Sequence, residues 1–214
     1  MNSQTRSEIR SGLIALAVSG LLFTLGIVLR GAVDLADPTS FIQAAASPYY
    51  IPGWTMILIG GVLQLYGFFG LYRYLTYRAE SLLALLAFLL RTVGLALGLP
   101  LFTFLIINVP VIAKLYQQGN QETLTVLAAN FSGTGIVLLG IGGMAALIGF
   151  ILFAIVMWRD ERLPRWIVVL FALSLPLLAA PVTFITELLG AVLLLISTGT
   201  IAWRGWQESE ARTG

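Results

Sequence analysis

The 214-residue sequence has no cysteine and no histidine, and only 10% of its residues are charged. Each absence removes a class of chemistry. Without cysteine there is no disulfide framework, no thiolate nucleophile and no thiolate-bound zinc or iron–sulfur cluster. Without histidine, His-ligated haem and every Ser-His or Cys-His nucleophile go as well. A chlorophyll or haem would have only weaker oxygen or backbone ligands, so no cofactor and no metal site is expected. The stretch FSGTG at 131–135 offers a serine but no base, and Lys114 lies outside the apolar runs. An enzyme is therefore not expected. Basic residues stand singly between apolar runs, and the net charge is only +2. A nucleic-acid partner would need a basic stripe, which is missing.

Apolar residues fill the space that charge leaves. They make up 58% of the chain, and the mean hydropathy is +0.94. Soluble domains carry roughly 25% charged residues, so this chain cannot cover a water-facing surface and the bilayer must be its solvent. A hydrocarbon core of about 30 Å needs about 20 helical residues to cross it. Six segments qualify, at 12–30, 51–72, 82–108, 134–158, 165–180 and 183–203. The first run is too long for the apolar region of a secretory signal and is read as a retained span. The third is overlong and contains Pro100, where a kink is expected. The fifth is short and interrupted by Pro176, and the AAPV at 179–182 provides the turn before the sixth, with Pro181 stopping a helix. The expected fold is a single all-α, polytopic integral membrane bundle over residues 1–214.

Arginine bias sets the orientation. Arg6, Arg10, Arg73, Arg78, Arg159, Arg162, Arg165, Arg204 and Arg212 fall on one side, against Arg30 and Lys114 on the other. Both termini should be cytoplasmic, in a cell membrane, with lipids as partners and other subunits or a second copy as further candidates. Outside, Asp37 followed by Pro38 predicts an N-capped short surface helix, and SPYYIPGW an interfacial aromatic belt. Leu124, Leu127, Ala128 and Phe131 recur at helical spacing and predict a helix lying on the membrane. Asn130-Phe131-Ser132 matches a glycosylation acceptor by chance. In the loop MWRDERLPRW, Trp158 and Trp166 suit headgroup depth and Arg162 and Arg165 are placed to reach lipid phosphates.

Two features could carry function. The first is small residues: Gly60 and Gly61 in span two, and Gly142, Ala145, Ala146 and Gly149 in span four. At such spacings they let helices approach closely. The second is polar groups inside the membrane. Arg91 sits near the midplane, where an arginine costs at least ~2.5–3.5 kcal/mol, and Glu187 is the only carboxylate well inside a span. Their pairing is the simplest neutral arrangement, with Gln64, Thr92, Thr103 and Thr186 to satisfy remaining donors and acceptors. Such a pair is either a structural ion pair or the polar anchor of a ligand site.

The segments RLPRWIVVLFALSLPLL and PVTFITELLGAVLLLISTGTIAWRGW resemble the bacterial six-span membrane proteins grouped as domain of unknown function 4386. The resemblance runs over roughly residues 50–206 and is carried by Pro164-Arg165-Trp166, Pro181, Glu187, Arg204-Gly205-Trp206 and Arg91. The family often has a glutamate three residues after that arginine, where this chain has Gly94, so a site using that glutamate is altered here. The resemblance implies a fold and topology but no activity. Two functional expectations follow: a non-catalytic accessory or assembly subunit of a membrane complex, or a transporter or binding protein for a small hydrophobic or lipid-like ligand.

Overall fold

The computed structural model describes residues 3–34, 37–77, 79–130, 133–179 and 183–210. Arg78, Phe131, Ser132, Pro181 and Arg212 lie outside them, as do parts of the acceptor site and of the 179–182 turn. Among the described residues the protein is all-helical. The eight helices are α1 (Ser3–Arg30), α2 (Pro38–Ala45), α3 (Tyr50–Thr76), α4 (Leu82–Gln117), α5 (Glu122–Asn130), α6 (Gly133–Trp158), α7 (Arg165–Ala179) and α8 (Phe184–Glu210). Five of them, α1, α3, α4, α6 and α8, are long and apolar enough to cross a membrane. Helix α7 has 15 residues, about 22 Å at 1.5 Å per residue, and falls short of that length. Large apolar side chains such as Leu21, Val62, Val93, Ile141 and Leu189 remain exposed on these helices, as expected where the solvent is lipid.

Local chemistry sets the helix ends. Asp37 caps α2 as its sequence predicts, accepting from the Thr39 amide at 2.9 Å with Pro38 in the first turn. The Ser81 hydroxyl accepts from the Ala84 amide at the start of α4. Thr183 and Thr186 cap each other's amides at the start of α8, which consumes the Thr186 hydroxyl expected to serve the buried polar pair. Helix α1 stops at Gly31, whose φ of +73° suits a residue without Cβ, and Gly119 does the same after α4 at φ +93°. Helix α4 runs unbroken through Pro100 and Pro110 for 36 residues, well beyond its predicted end at 108.

Six of the helices close into a ring in chain order: α1 against α3, then α4, α6, α7 and α8, which returns to α1. The α1–α3 seam is the most intimate. Gly12 lies on Gly70, Gly67 on Leu16, and Gly26 and Gly53 on each other's turns. Seven-residue steps relate Gly12, Ser19 and Gly26 on one helix and Gly53, Gly60 and Gly67 on the other, keeping the small residues on one stripe. Helices α2 and α5 each pack one side against the bundle. Phe41, Ile42 and Leu127 are buried, in a cluster with Val109, Ile112 and Ala113 at the far end of α4.

At the opposite end, side-chain contacts lock the arginine-rich termini together. Arg73 pairs with Glu8 at 3.3 Å, Arg10 stacks on Trp206, and Tyr74 donates to Glu208 at 2.9 Å. Arg162 does not extend toward lipid phosphates. It folds back onto Asp160 and donates to the Tyr74 carbonyl at 3.0 Å. Burial alone would disfavour the Arg162 cation, but its hydrogen bonds to Asp160 and its electrostatic interactions with Tyr74, Asp160 and Tyr77 together outweigh this and hold it above the ordinary arginine range.

Candidate functional site

The ring encloses a cavity of about 290 Å³. Its walls are apolar, from residues such as Phe23, Ile57, Leu101, Phe102 and Leu178; Ser174 bonds back to the Phe171 carbonyl of its own helix, and the charged and amide side chains fall into two stations. One is Arg91 with Gln64. The other is Arg30 with Glu187.

Arg91 is positioned from its backbone outward. Gly149 of α6 lies so close that a Cβ there would come 2.5 Å from the Arg91 amide nitrogen, and Gly94 presses on Ala146 in the same seam. Gly142 meets Leu97 one turn further on. A glutamate at position 94 would collide with the α6 backbone. This packing therefore requires glycine at position 94. The Arg91 side chain is 4% exposed and crosses to α3, where Nη2 donates to Gln64 Oε1 at 2.7 Å. Phe68 and Phe150 present their ring faces at 4.9 and 5.4 Å from its guanidinium carbon, within cation–π range. Its Nε is buried without a hydrogen-bond acceptor, and no carboxylate pairs with it among the described residues.

The pairing expected from the sequence is therefore corrected. Glu187 forms its ion pair with Arg30, with Trp54 stacked 4.5 Å from the guanidinium. The cause is depth. Helix contacts put Ser19 and Thr198 near the level of Arg91 and Gln64. Arg30 and Glu187 lie about 16 Å further along the bundle at 1.5 Å per residue, beyond the reach of two side chains.

Other expected site residues are placed as follows. Gln64 is buried and meets Arg91, as anticipated in outline. The Thr92 hydroxyl is buried without a partner and is not on the cavity wall. Thr103 bonds back to the Leu99 carbonyl at 3.4 Å. Gly60 packs on Phe23 and Ser19 of α1, Gly61 faces Leu99 of α4, and Ala145 is half-buried. Arg30 is the site residue that sequence reasoning missed. Its position at a span boundary made it look like an interfacial anchor. The available signal was that it is the only cation near Glu187's depth on a neighbouring span.

Chemically the arrangement offers one compensated and one uncompensated cation in an apolar chamber. Among the described residues no cluster of three Asp or Glu side chains could hold a metal ion. Compared with known proteins, the chain matches no family model, no curated protein and no solved structure.

Proposed function

We propose that the protein is a six-span integral membrane protein of a bacterial cell membrane, with both termini cytoplasmic, that binds a small amphipathic molecule at Arg91. The observation that supports binding is Arg91 itself: a buried cation on a cavity wall whose hydrogen-bond partner is a neutral amide. A buried charge left without a counter-ion costs several kcal/mol. A ligand bringing negative charge recovers that cost, while its apolar part fills the chamber. Arginine, always protonated, is suited to this role.

Support for six spans comes from α7, which occupies its own place in the ring between α6 and α8. With α7 counted, Arg10, Arg73, Arg162 and Arg165 collect at one end, as the positive-inside rule asks of a cytoplasmic face. The resemblance of the Pro164-Arg165-Trp166 and Arg204-Gly205-Trp206 segments to the domain of unknown function 4386 favours a bacterial setting. The accessory-subunit reading drew on the absence of catalytic groups and on the small-residue faces of spans two and four. Those at Gly60, Gly67, Gly142 and Gly149 are occupied within the chain and are not free for a partner.

The test is native mass spectrometry of the protein extracted in a mild detergent. The expected result is a chain carrying a small amphipathic anion that is lost in Arg91→Leu. A second polypeptide at fixed stoichiometry, with nothing bound at Arg91, would replace this reading with the accessory-subunit one.

A further inference from the structure

We infer that the molecule held at Arg91 is a single-chain lipid acid with one negative charge, and that it enters sideways from the bilayer between α6 and α7. This rests on the binding reading above and adds a ligand class and a route.

The charge follows from balance. Arg30 is neutralised by Glu187, so the cavity holds one uncompensated positive charge. A monoanion brings it to neutrality; a neutral ligand leaves a buried cation, and a dianion leaves a buried negative charge. The single chain follows from size. About 290 Å³ is at the lower edge of the ~300–1,000 Å³ typical of ligand pockets, and suits one acyl chain better than two. The space between Arg91 and the Arg30–Glu187 pair runs along the bundle among Phe, Ile and Leu side chains, as an acyl tail requires.

The route follows from the wall. Of the six seams in the ring, α6–α7 is the least extensive. At the level of Arg91 it is shut by Phe150 stacked on Phe171, with ring centroids 4.0 Å apart. Above that level α6 presents Gly143, which lines the cavity, is exposed, and has nothing within 4 Å of where a Cβ would stand. Leu139, Leu175 and Leu178 line the cavity beside it and are only partly buried. Gly143 is about 9 Å along the bundle from the Arg91–Gly149 contact at 1.5 Å per residue. A head group passing there reaches the guanidinium without leaving an apolar path.

The experiment uses the full chain in lipid nanodiscs, with Trp158, Trp166, Trp203 and Trp206 changed to Phe so that Trp54, on the cavity wall, is the sole reporter. The probe is 9,10-dibromostearic acid, whose bromines quench tryptophan at short range, with its methyl ester as the uncharged counterpart and a dibrominated two-chain phospholipid as the other lipid source. Saturable quenching is expected from the acid alone, and its loss in Arg91→Gln. Gly143→Phe should slow its onset at least tenfold, while Gly199→Phe, at another open glycine away from the cavity, leaves it unchanged. Native mass spectrometry of the same glycine variants with all tryptophans in place counts bound acid independently of the reporter. Saturable quenching by the ester or the phospholipid overturns the ligand class. Arg91-dependent quenching with an unchanged rate in Gly143→Phe overturns the route and leaves the binding reading standing. Quenching by the acid that persists in Arg91→Gln overturns both.

Discussion

Arg30 and Arg91 are equally buried, each 4% exposed, and both face the same cavity, yet they are held in opposite ways. Arg30 ends a helix, meets a carboxylate and stacks on Trp54. Arg91 lies mid-helix, is clamped by a glycine seam, and meets only an amide and two ring faces. Burial alone therefore does not separate a structural arginine from a functional one. The partner does. A carboxylate closes the electrostatic account locally, whereas an amide orients the guanidinium and leaves its charge to be met by something else.

Breaking the compensated station should have the largest effect. Glu187→Leu strands Arg30 and is expected to cost about 3–5 kcal/mol, read as a fall in Tm in detergent. The Arg30→Leu, Glu187→Leu double variant should recover most of that loss; an unchanged Tm in Glu187→Leu alone would remove the distinction between the two arginines. Next in size, and opposite in sign, is emptying the other station. Arg91→Leu with Gln64→Leu removes an uncompensated cation together with its partner, and should stabilise the ligand-free protein by about 2.5–3.5 kcal/mol, measured as a raised Tm that no longer responds to added lipid acid. Gln64→Glu makes the second station resemble the first. It should weaken binding of a monoanion at least tenfold, about 1.4 kcal/mol, by equilibrium titration. The smallest expected effect is a null. Arg91→Leu and Glu187→Leu should add in Tm-derived stability to within about 0.5 kcal/mol, as changes at well-separated sites do. A coupling above about 1 kcal/mol would reinstate a direct Arg91–Glu187 interaction.

Helix positions were legible in the sequence because apolar run length is a one-dimensional property. The starts at 82 and 165 and the end at 158 agree with α4, α7 and α6. Helices α1, α4 and α8 outrun their predicted spans because polar residues such as Glu8, Lys114 and Glu208 continue the helical pattern beyond the apolar stretch. The candidate site was half legible. Arg91 and Gln64 stood out as polar groups deep in apolar runs, and they meet. Glu187 stood out too, but its partner depended on which helix lies beside α8 and at what depth. That is fixed by pairwise seams such as Gly20 on Leu195 and Thr198, which hydropathy does not encode. The seven-residue steps of small residues on α1 and α3 were a further sequence signal: they place α1 beside α3, and with that the level of Arg30 on the bundle.

The bond between α1 and α8 also has a meaning in time. Arg30 precedes Glu187 by 157 residues, so the cation is made well before its counter-ion. Until α8 follows, that charge is unmatched and the ring is open beside α1, so the pair forms only after every helix between its two partners has been laid down.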